Sequence, residues 1–406
     1  MTRASEGQAP APRGSVLFTA FEPSGDAHAA PVVRALRQMA PELPVVAWGG
    51  PHLDAAGAAV IERSADDGAM GLSALSRIGA VRRHAASIDQ WSAAHRVSVH
   101  VPVDSPAANF PVARRLKRRG ARICHLVAPQ LWAWGPWRLG KLRRCTDCVL
   151  CLLPFEEAWF RQRHVPALFI GHPVINRPLD ASSLADRARE LPQGSPRLLL
   201  LPGSRSSEVR RNLPLLIRAF TELQSTHKRM QALLVAANGE LLRMVRQMLG
   251  GSLPSGLHAV SGDLDAAIAW SELALCVSGT VSLDLARQAK PMVGVYKVSA
   301  ISWLGSRVLL TSPHRLLPNI LAGRRIVPEF VPHMGGAEPI TRAAQSLLDD
   351  TARLREASES LRAVVAPYQG HDPAVEAARA ILHLVHGRNP VALARPAALA
   401  SAAEAG

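Results

Sequence analysis

The sequence predicts an α/β protein of two Rossmann-like halves, each a parallel sheet, that face a central cleft and end in C-terminal helices. Three observations lead there. Short apolar runs are followed by a small-residue turn and then an amphipathic segment, in the order strand, turn, helix. That order recurs on both sides of a proline-punctuated stretch, 177–196, which reads as a linker. Finally, Val277-Ser-Gly-Thr-Val-Ser-Leu-Asp284 joins a buried-strand run, 273–277, to a helix, 281–288, through residues small enough for a phosphate to approach the backbone. Thr280 reads as the cap of that helix.

In chain order, residues 1–14 are rich in Ala, Pro, Gly and charge and read as a disordered tail. The first half spans 15–176. Its first strand is 15–20, Phe21 to Asp26 is a turn, and a helix follows over 27–39. A strand at 45–48 ends in Gly49-Gly50. The segment 70–85 has helical amphipathic spacing with interleaved Arg and His; it reads as a surface helix and also fits contact with a bilayer. Strand 97–103 delivers Asp104 to its C-terminal end, before a helix at 109–119 and a strand at 123–127. Residues 128–137 carry three Trp and two Pro, too many for a regular element. Such a loop can stack on sugar, cover acyl chains or pack on a neighbour. A helix starts at Pro154, and 169–173 closes another strand. The second half, 197–366, repeats the logic: strand 197–202, turn Gly203-Ser204-Arg205, and a helix capped by Asn212. Strands follow at 233–236, 258–260, 273–277 and 292–295. A C-terminal helix, 367–388, is placed to pack back on the first half, and 389–406 is an Ala-rich tail.

Composition narrows the function. A chain of 406 residues is long enough for two or three cores, and a net charge of +15 points to an anionic partner: nucleic acid, an acidic lipid surface or a phosphorylated substrate. Ten Lys or Arg lie from Arg114 to Arg144, with no acid between Asp104 and Asp147. Few aromatics interleave with them and no zinc-finger or RNA-binding signature appears, so no nucleic-acid partner is expected. Five cysteines do not make a disulfide framework in so long a chain. Cys145-x-x-Cys148-x-x-Cys151 has metal-like spacing, but its last two members lie in an apolar run whose alternation sends them to opposite faces, which favours a core strand. With no signal peptide and no spanning apolar run, a cytoplasmic protein, free or membrane-associated, is expected.

Several longer motifs occur together: Glu22-Pro-Ser-Gly-Asp26, Asp104-Ser-Pro, Ala128-Pro-Gln-Leu-Trp-Ala-Trp134, Gly171-His-Pro173, Leu201-Pro-Gly-Ser-Arg-Ser-Ser-Glu208, Ser278-Gly-Thr280, and Leu317-Pro-Asn-Ile-Leu-Ala-Gly-Arg324 with Pro328-Glu329. In this order, from about residue 15 to about 386, they resemble the lipid-A-disaccharide synthase family, glycosyltransferases of the GT-B architecture. The resemblance implies transfer from UDP-2,3-diacylglucosamine to 2,3-diacylglucosamine 1-phosphate with inversion, releasing UDP. It implies no cofactor and no metal, and work at the anionic inner face of the inner membrane; a homodimer stays open. Asp104 matches the family's essential aspartate and would be the base, with Glu22 and Asp26 lining the acceptor side. Capping the next helix is the other reading of Asp104, and holding their turn together the other reading of Glu22 and Asp26. Gly203, Ser204, Arg205, Ser278, Gly279 and Thr280 would hold the diphosphate. Asn319 and Glu329 match positions on the nucleotide side, where Glu329 would accept from ribose hydroxyls.

The chain departs from the family pattern mainly on the acceptor side. Ala107-Ala108 replace an Asp-Phe pair after Asp104-Ser-Pro, Asn176 stands where an Asp is common, Phe21 where a Gly is common, and Pro332 where a Gln is usual. Two alternatives therefore stay open: a paralogue with a UDP-sugar donor and an altered acceptor, or a non-catalytic nucleotide-sugar-binding protein at the membrane.

Overall fold

The computed structural model describes residues 14–65, 74–133, 135–298 and 313–393, with side chains from residue 79 onward in the helix that begins at 74. The expected tails lie largely outside these residues, as do part of the amphipathic segment 70–85 and Trp134. The chain forms two compact units, one running to Pro173 and resuming at Gly370, the other Val174–Gln369.

The first unit holds seven strands: β1 (Ser15–Thr19), β2 (Val45–Gly49), β3 (Ala59–Arg63), β4 (Val97–Pro102), β5 (Arg122–Leu126), β6 (Cys148–Cys151) and β7 (Ala167–Phe169). They form one sheet in the order β3-β2-β1-β4-β5-β6-β7, and every pairing is parallel. Helices cover both faces, so strand residues are buried on both sides and read as continuous apolar runs. One face packs Val16, Phe18 and Val101 under the helices Pro23–Met39 and Pro373–Val385; the other packs Leu17, Trp48 and Ile123. Cys148 joins the first of these cores and Cys151 the other, as the alternation requires. Residues 390–393 form a short 3-10 turn with Pro390 buried, so the segment expected as tail is ordered up to there.

The second unit has six strands: β8 (Arg197–Leu201), β9 (Gln231–Ala236), β10 (Leu257–Ser261), β11 (Leu273–Val277), β12 (Met292–Lys297) and β13 (Glu329–His333). Their order is β10-β9-β8-β11-β12-β13, again all parallel. Segment 177–196 is not a bare linker, because Asp180 caps a helix, Ala181–Arg189, whose Leu184 is buried. Asn212 does not cap a helix either. The helix begins at Ser206, closed by Glu208 on the Arg205 N–H, and Asn212 lies buried inside it, accepting from Lys297 N at 2.8 Å.

In each sheet the strand order reverses once, between β1 and β4 and between β8 and β11. A parallel sheet opens a crevice at the C-terminal strand ends beside such a reversal, because the flanking connections leave on opposite faces. The motifs following β1, β4, β8 and β11 are the ones singled out above.

Candidate active site

In the first unit the chain leaves β1 at Thr19 and enters a helix at Pro23, so the expected turn is the helix's own first turn. Pro23 at the first helical position fixes φ there and needs no amide partner. Glu22 precedes it with an exposed side chain. Asp26 faces the other way. It is fully buried, and its carboxylate accepts from Gly50 N (2.7 Å), His52 N (2.8 Å) and Leu53 N (3.3 Å). A Cβ on Gly50 would stand 2.8 Å from Asp26 Oδ2, so the close approach needs glycine. Asp26 is thus a structural tie between two crossovers rather than a group free to meet substrate.

Asp104 follows β4, its N–H donating to Leu126 O at 3.0 Å. Asp104 and Ser105 both take left-handed backbone angles, φ +47° and +38°, and Val127 on the neighbouring strand end has φ +67°. Backbone held in this region marks a site where the surroundings override local preference. The helix after Asp104 starts at Pro106, with Ser105 at the cap position, and no side chain caps it. Burial pushes the Asp104 carboxyl above its ordinary value, and the Glu22 charge adds to this. The Ser105 N–H and His28 act the other way. His28 is lowered by burial, opposed by Asp104, and His172 is pushed down to about 4 by burial with His28 contributing. Asp104, Glu22, His28 and His172 are therefore one electrostatic group. Sequence reasoning gave His172 no role, although Gly171-His-Pro173 follows β7 directly.

The second unit holds a pocket of about 540 Å³ lined by Gly203, Ser204, Arg205, Ser278, Gly279 and Thr280. Asp263, which the sequence did not single out, and Asp284, which ends the singled-out stretch but was given no role, also line it. The two turns contribute differently. Glu208 accepts from Ser204 N (3.1 Å) and Arg205 N (3.2 Å), and its other oxygen pairs with Arg205 Nη1 at 3.1 Å. The first turn therefore offers an exposed guanidinium and no spare N–H from Ser204 or Arg205. The N–H groups of Gly279 and Thr280 have no hydrogen-bond partner among the described residues. Nothing lies within 4 Å of where a Cβ on Gly279 would stand. Thr280 has helical angles and makes no side-chain cap, contrary to expectation.

Asn319 and Glu329 do not line this pocket. Asn319 is fully buried; its Oδ1 accepts from Ile326 N (2.8 Å) and Val327 N (3.0 Å), and Nδ2 donates to Val327 O. Glu329 Oε2 accepts from Arg315 N (3.2 Å) and Leu316 N (2.8 Å), and Ser278 Oγ donates to Arg315 O at 3.3 Å. Glu329 thus holds the segment that Ser278 bonds, while Asn319 ties its own helix to the backbone at 326 and 327.

The Trp loop is anchored by Trp132, whose Nε1 donates to Glu156 Oε1 at 2.9 Å and whose ring meets Phe155 edge-on. Trp137 is exposed. Among the described residues no group of three His, Cys, Asp or Glu could hold a metal ion, and no helix is long and apolar enough to cross a membrane.

Comparison with known proteins agrees with this layout. Solved structures with the same fold include the Staphylococcus aureus MnaA–UDP co-structure (TM-score 0.62, 14% identity, 91% of this chain and 96% of that one). Acinetobacter baumannii MurG is another (TM-score 0.54, 13% identity, 92% and 99%). These neighbours place the fold in the GT-B class. In sequence, the chain is 33% identical to the lipid-A-disaccharide synthase of Solibacter usitatus, over 92% of this chain and 98% of that protein. It is 31% identical to that of Pseudomonas aeruginosa over the same shares. The family model for lipid-A-disaccharide synthetase matches residues 16–380, and the chain belongs to that family of glycosyltransferases.

Proposed function

We propose that this chain joins UDP-2,3-diacylglucosamine to 2,3-diacylglucosamine 1-phosphate, inverting the donor carbon and releasing UDP without a metal ion. The observation that carries this is the placement of both motif sets at strand-order reversals: Glu22 and Asp104 after β1 and β4, the Gly203 and Ser278 turns after β8 and β11. The second unit would hold the donor diphosphate on the Gly279 and Thr280 N–H groups and the Arg205 guanidinium. Fixed donors of this kind stabilise the charge that develops on the leaving diphosphate. The first unit would hold the acceptor. Asp104 takes the proton of the acceptor hydroxyl as its oxygen bonds to the sugar C1 and the C1–diphosphate bond breaks. A carboxyl lifted by burial suits this, since a base close to working pH transfers protons best. The test is incubation of the purified protein with both diacylated sugars in the presence of a chelator, with UDP and disaccharide read by mass spectrometry. Asp104→Asn keeps shape but cannot take a proton, so turnover should fall by roughly 10²–10⁴ while UDP binding stays intact; turnover at the parent rate removes the assignment.

A second reading keeps the donor and changes the acceptor. Ala107 and Ala108, where the family resemblance has Asp and Phe, favour it, and a panel of acylated sugar acceptors separates the two. Reversible association with anionic bilayers fits the basic run 114–144 and exposed Trp137. Sedimentation with anionic vesicles that leaves the protein in the supernatant at low salt counts against it.

A further inference from the structure

Three polar side chains, Thr19 on β1, His100 on β4 and Asn109 on the helix Pro106–Arg118, are fully buried together. Burial of this kind is tolerated when the groups satisfy one another, and here the bonds run in one direction. Thr19 Oγ1 donates to Asn109 Oδ1 at 2.6 Å. A hydroxyl has one hydrogen, so the 2.9 Å contact with His100 Nε2 is one that Thr19 accepts, and the ring proton sits on Nε2. Burial lowers His100 to about 3, which keeps the ring neutral with that single proton. Asn109 then spends its amide on the backbone, donating to Val103 O (3.1 Å) and Asp104 O (2.9 Å). Val103 N donates to Thr19 O at 3.0 Å, so the same residue grips the strand end by its main chain and its side chain.

We propose that this chain of hydrogen bonds, His100 to Thr19 to Asn109, is the device that holds Asp104 in its left-handed conformation and so positions its carboxylate for the reaction. The proposal rests on the reading of Asp104 as the base. Two successive non-glycine residues at φ +47° and +38° are disfavoured on their own and persist where neighbours over-determine them. Asn109 binds the carbonyls on both sides of the Asp104 N–Cα–C unit, and Leu126 O holds its N–H. Asn109 and Thr19 are both fully buried, so the role proposed for them is exerted through the Asp104 backbone.

The test compares Thr19→Val, Asn109→Ala and Thr19→Ser with the parent and with Asp104→Asn, reading kcat, acceptor KM, UDP affinity, melting and the pH profile of kcat/KM. Thr19→Val keeps the shape and loses the hydroxyl, and Asn109→Ala loses the amide. Each should lower kcat by about 10²-fold, the scale of a misplacement of about 1 Å, with acceptor KM little changed. UDP affinity should stay within about twofold, because the donor pocket belongs to the other unit. The acid limb of the profile should move to lower pH, since a carboxylate released from burial, the largest cause of its rise, and from the Glu22 charge returns toward its ordinary value, with the loss of the His28 and Ser105 contributions opposing this only in part. Thr19→Ser keeps the hydroxyl and should stay within about threefold of the parent. Folded Thr19→Val with parent kcat and an unmoved acid limb overturns the proposal, as does a loss confined to melting temperature. If Asn109→Ala does not fold, the shape-preserving Thr19→Val decides alone. Asp104→Asn tells the two failures apart. Turnover at the parent rate there sinks the base assignment itself, whereas its loss beside an unaffected Thr19→Val sinks only the positioning role.

Discussion

Asp26 gives the sharpest separation between a residue that does chemistry and one that holds a site together. Its carboxylate accepts three backbone N–H groups, of which those of Gly50 and Leu53 are buried. Asp26→Ala strands both buried donors. At about 1–3 kcal/mol for each unsatisfied buried group, with His52 N able to turn to water, the loss comes to about 4 kcal/mol. For a unit of this size that corresponds to a fall in melting temperature of about 8–16 °C. Asp26→Asn keeps one accepting oxygen but turns an NH2 toward N–H donors, so it should cost somewhat less. The assay is hydrogen exchange on peptides covering 45–55, combined with thermal unfolding, since the two units need not melt together. Exchange at Gly50 and Leu53 should rise with the loss of stability, and residual turnover below the melting point should track the folded fraction. If Asp26→Asn abolishes turnover while exchange and melting stay at parent values, the carboxylate acts on substrate and the structural account is wrong.

Other outcomes follow from the same geometry. Gly279→Ala adds a methyl where nothing stands within 4 Å and where no positive φ is needed, so stability should hold while UDP affinity drops; calorimetry and melting on one sample check this. Arg205→Ala should weaken UDP by roughly 2 kcal/mol, one charge-assisted contact, and unchanged affinity or strict magnesium dependence would remove Arg205 from the donor site. Glu156 is fully buried and pushed up from 4.5 to about 7 by burial, against the opposing hydrogen bonds of Trp132, Leu153 and Leu152. Its folded value lies above its unfolded one, so its contribution to stability is complete below about 4.5 and is lost as pH rises through about 7. Glu156→Gln cannot ionise and should flatten that decline, by a few kcal/mol at most, on the order of the pKa difference. Denaturation midpoints from pH 4 to pH 8 measure it, and parallel profiles for parent and variant would refute it.

The interior of both sheets was legible because strands buried on both faces are written as apolar runs, such as Leu198 to Leu201 and Leu273 to Val277. Two of the four edge strands, β3 and β13, were not. In β3 burial alternates between half-buried and exposed, and β13 contains Pro332 and no fully buried residue, so neither shows the run that marks a strand. Which strand ends carry the site was also legible, since a small-residue turn between strand and helix is a local pattern. The destination of a polar side chain was not. Asp26 reaches amides 24 to 27 residues away, Asn212 one 85 residues away, and Glu329 the backbone at 315 and 316. Motif position says that such a residue belongs near the site. Only the packed structure says whether it faces the ligand or the backbone.

That distinction bears on what the departures after Asp104-Ser-Pro mean. Ala107 is exposed in the first turn of the helix Pro106–Arg118, so the carboxylate that the resemblance expects there is not needed to fill the core. Ala108 is buried, and two residues on Phe110 is buried as well, its ring beside His125 and under the Arg138 guanidinium at 5.9 Å. The helix therefore has its aromatic contact without one at 108. Asn109 is present, and its bonds to Thr19, Val103 and Asp104 are complete. Every group proposed to fix the Asp104 backbone is in place, and neither absent residue is among them. The loss of the Asp-Phe pair thus leaves the proposed base intact and alters what lies next to it. Restoring Asp at 107 should accordingly change acceptor KM and preference among acylated sugars, leaving the acid limb of the pH profile where Asp104 sets it. A shift of that limb, with acceptor preference unmoved, would instead make residue 107 part of the proton-accepting group.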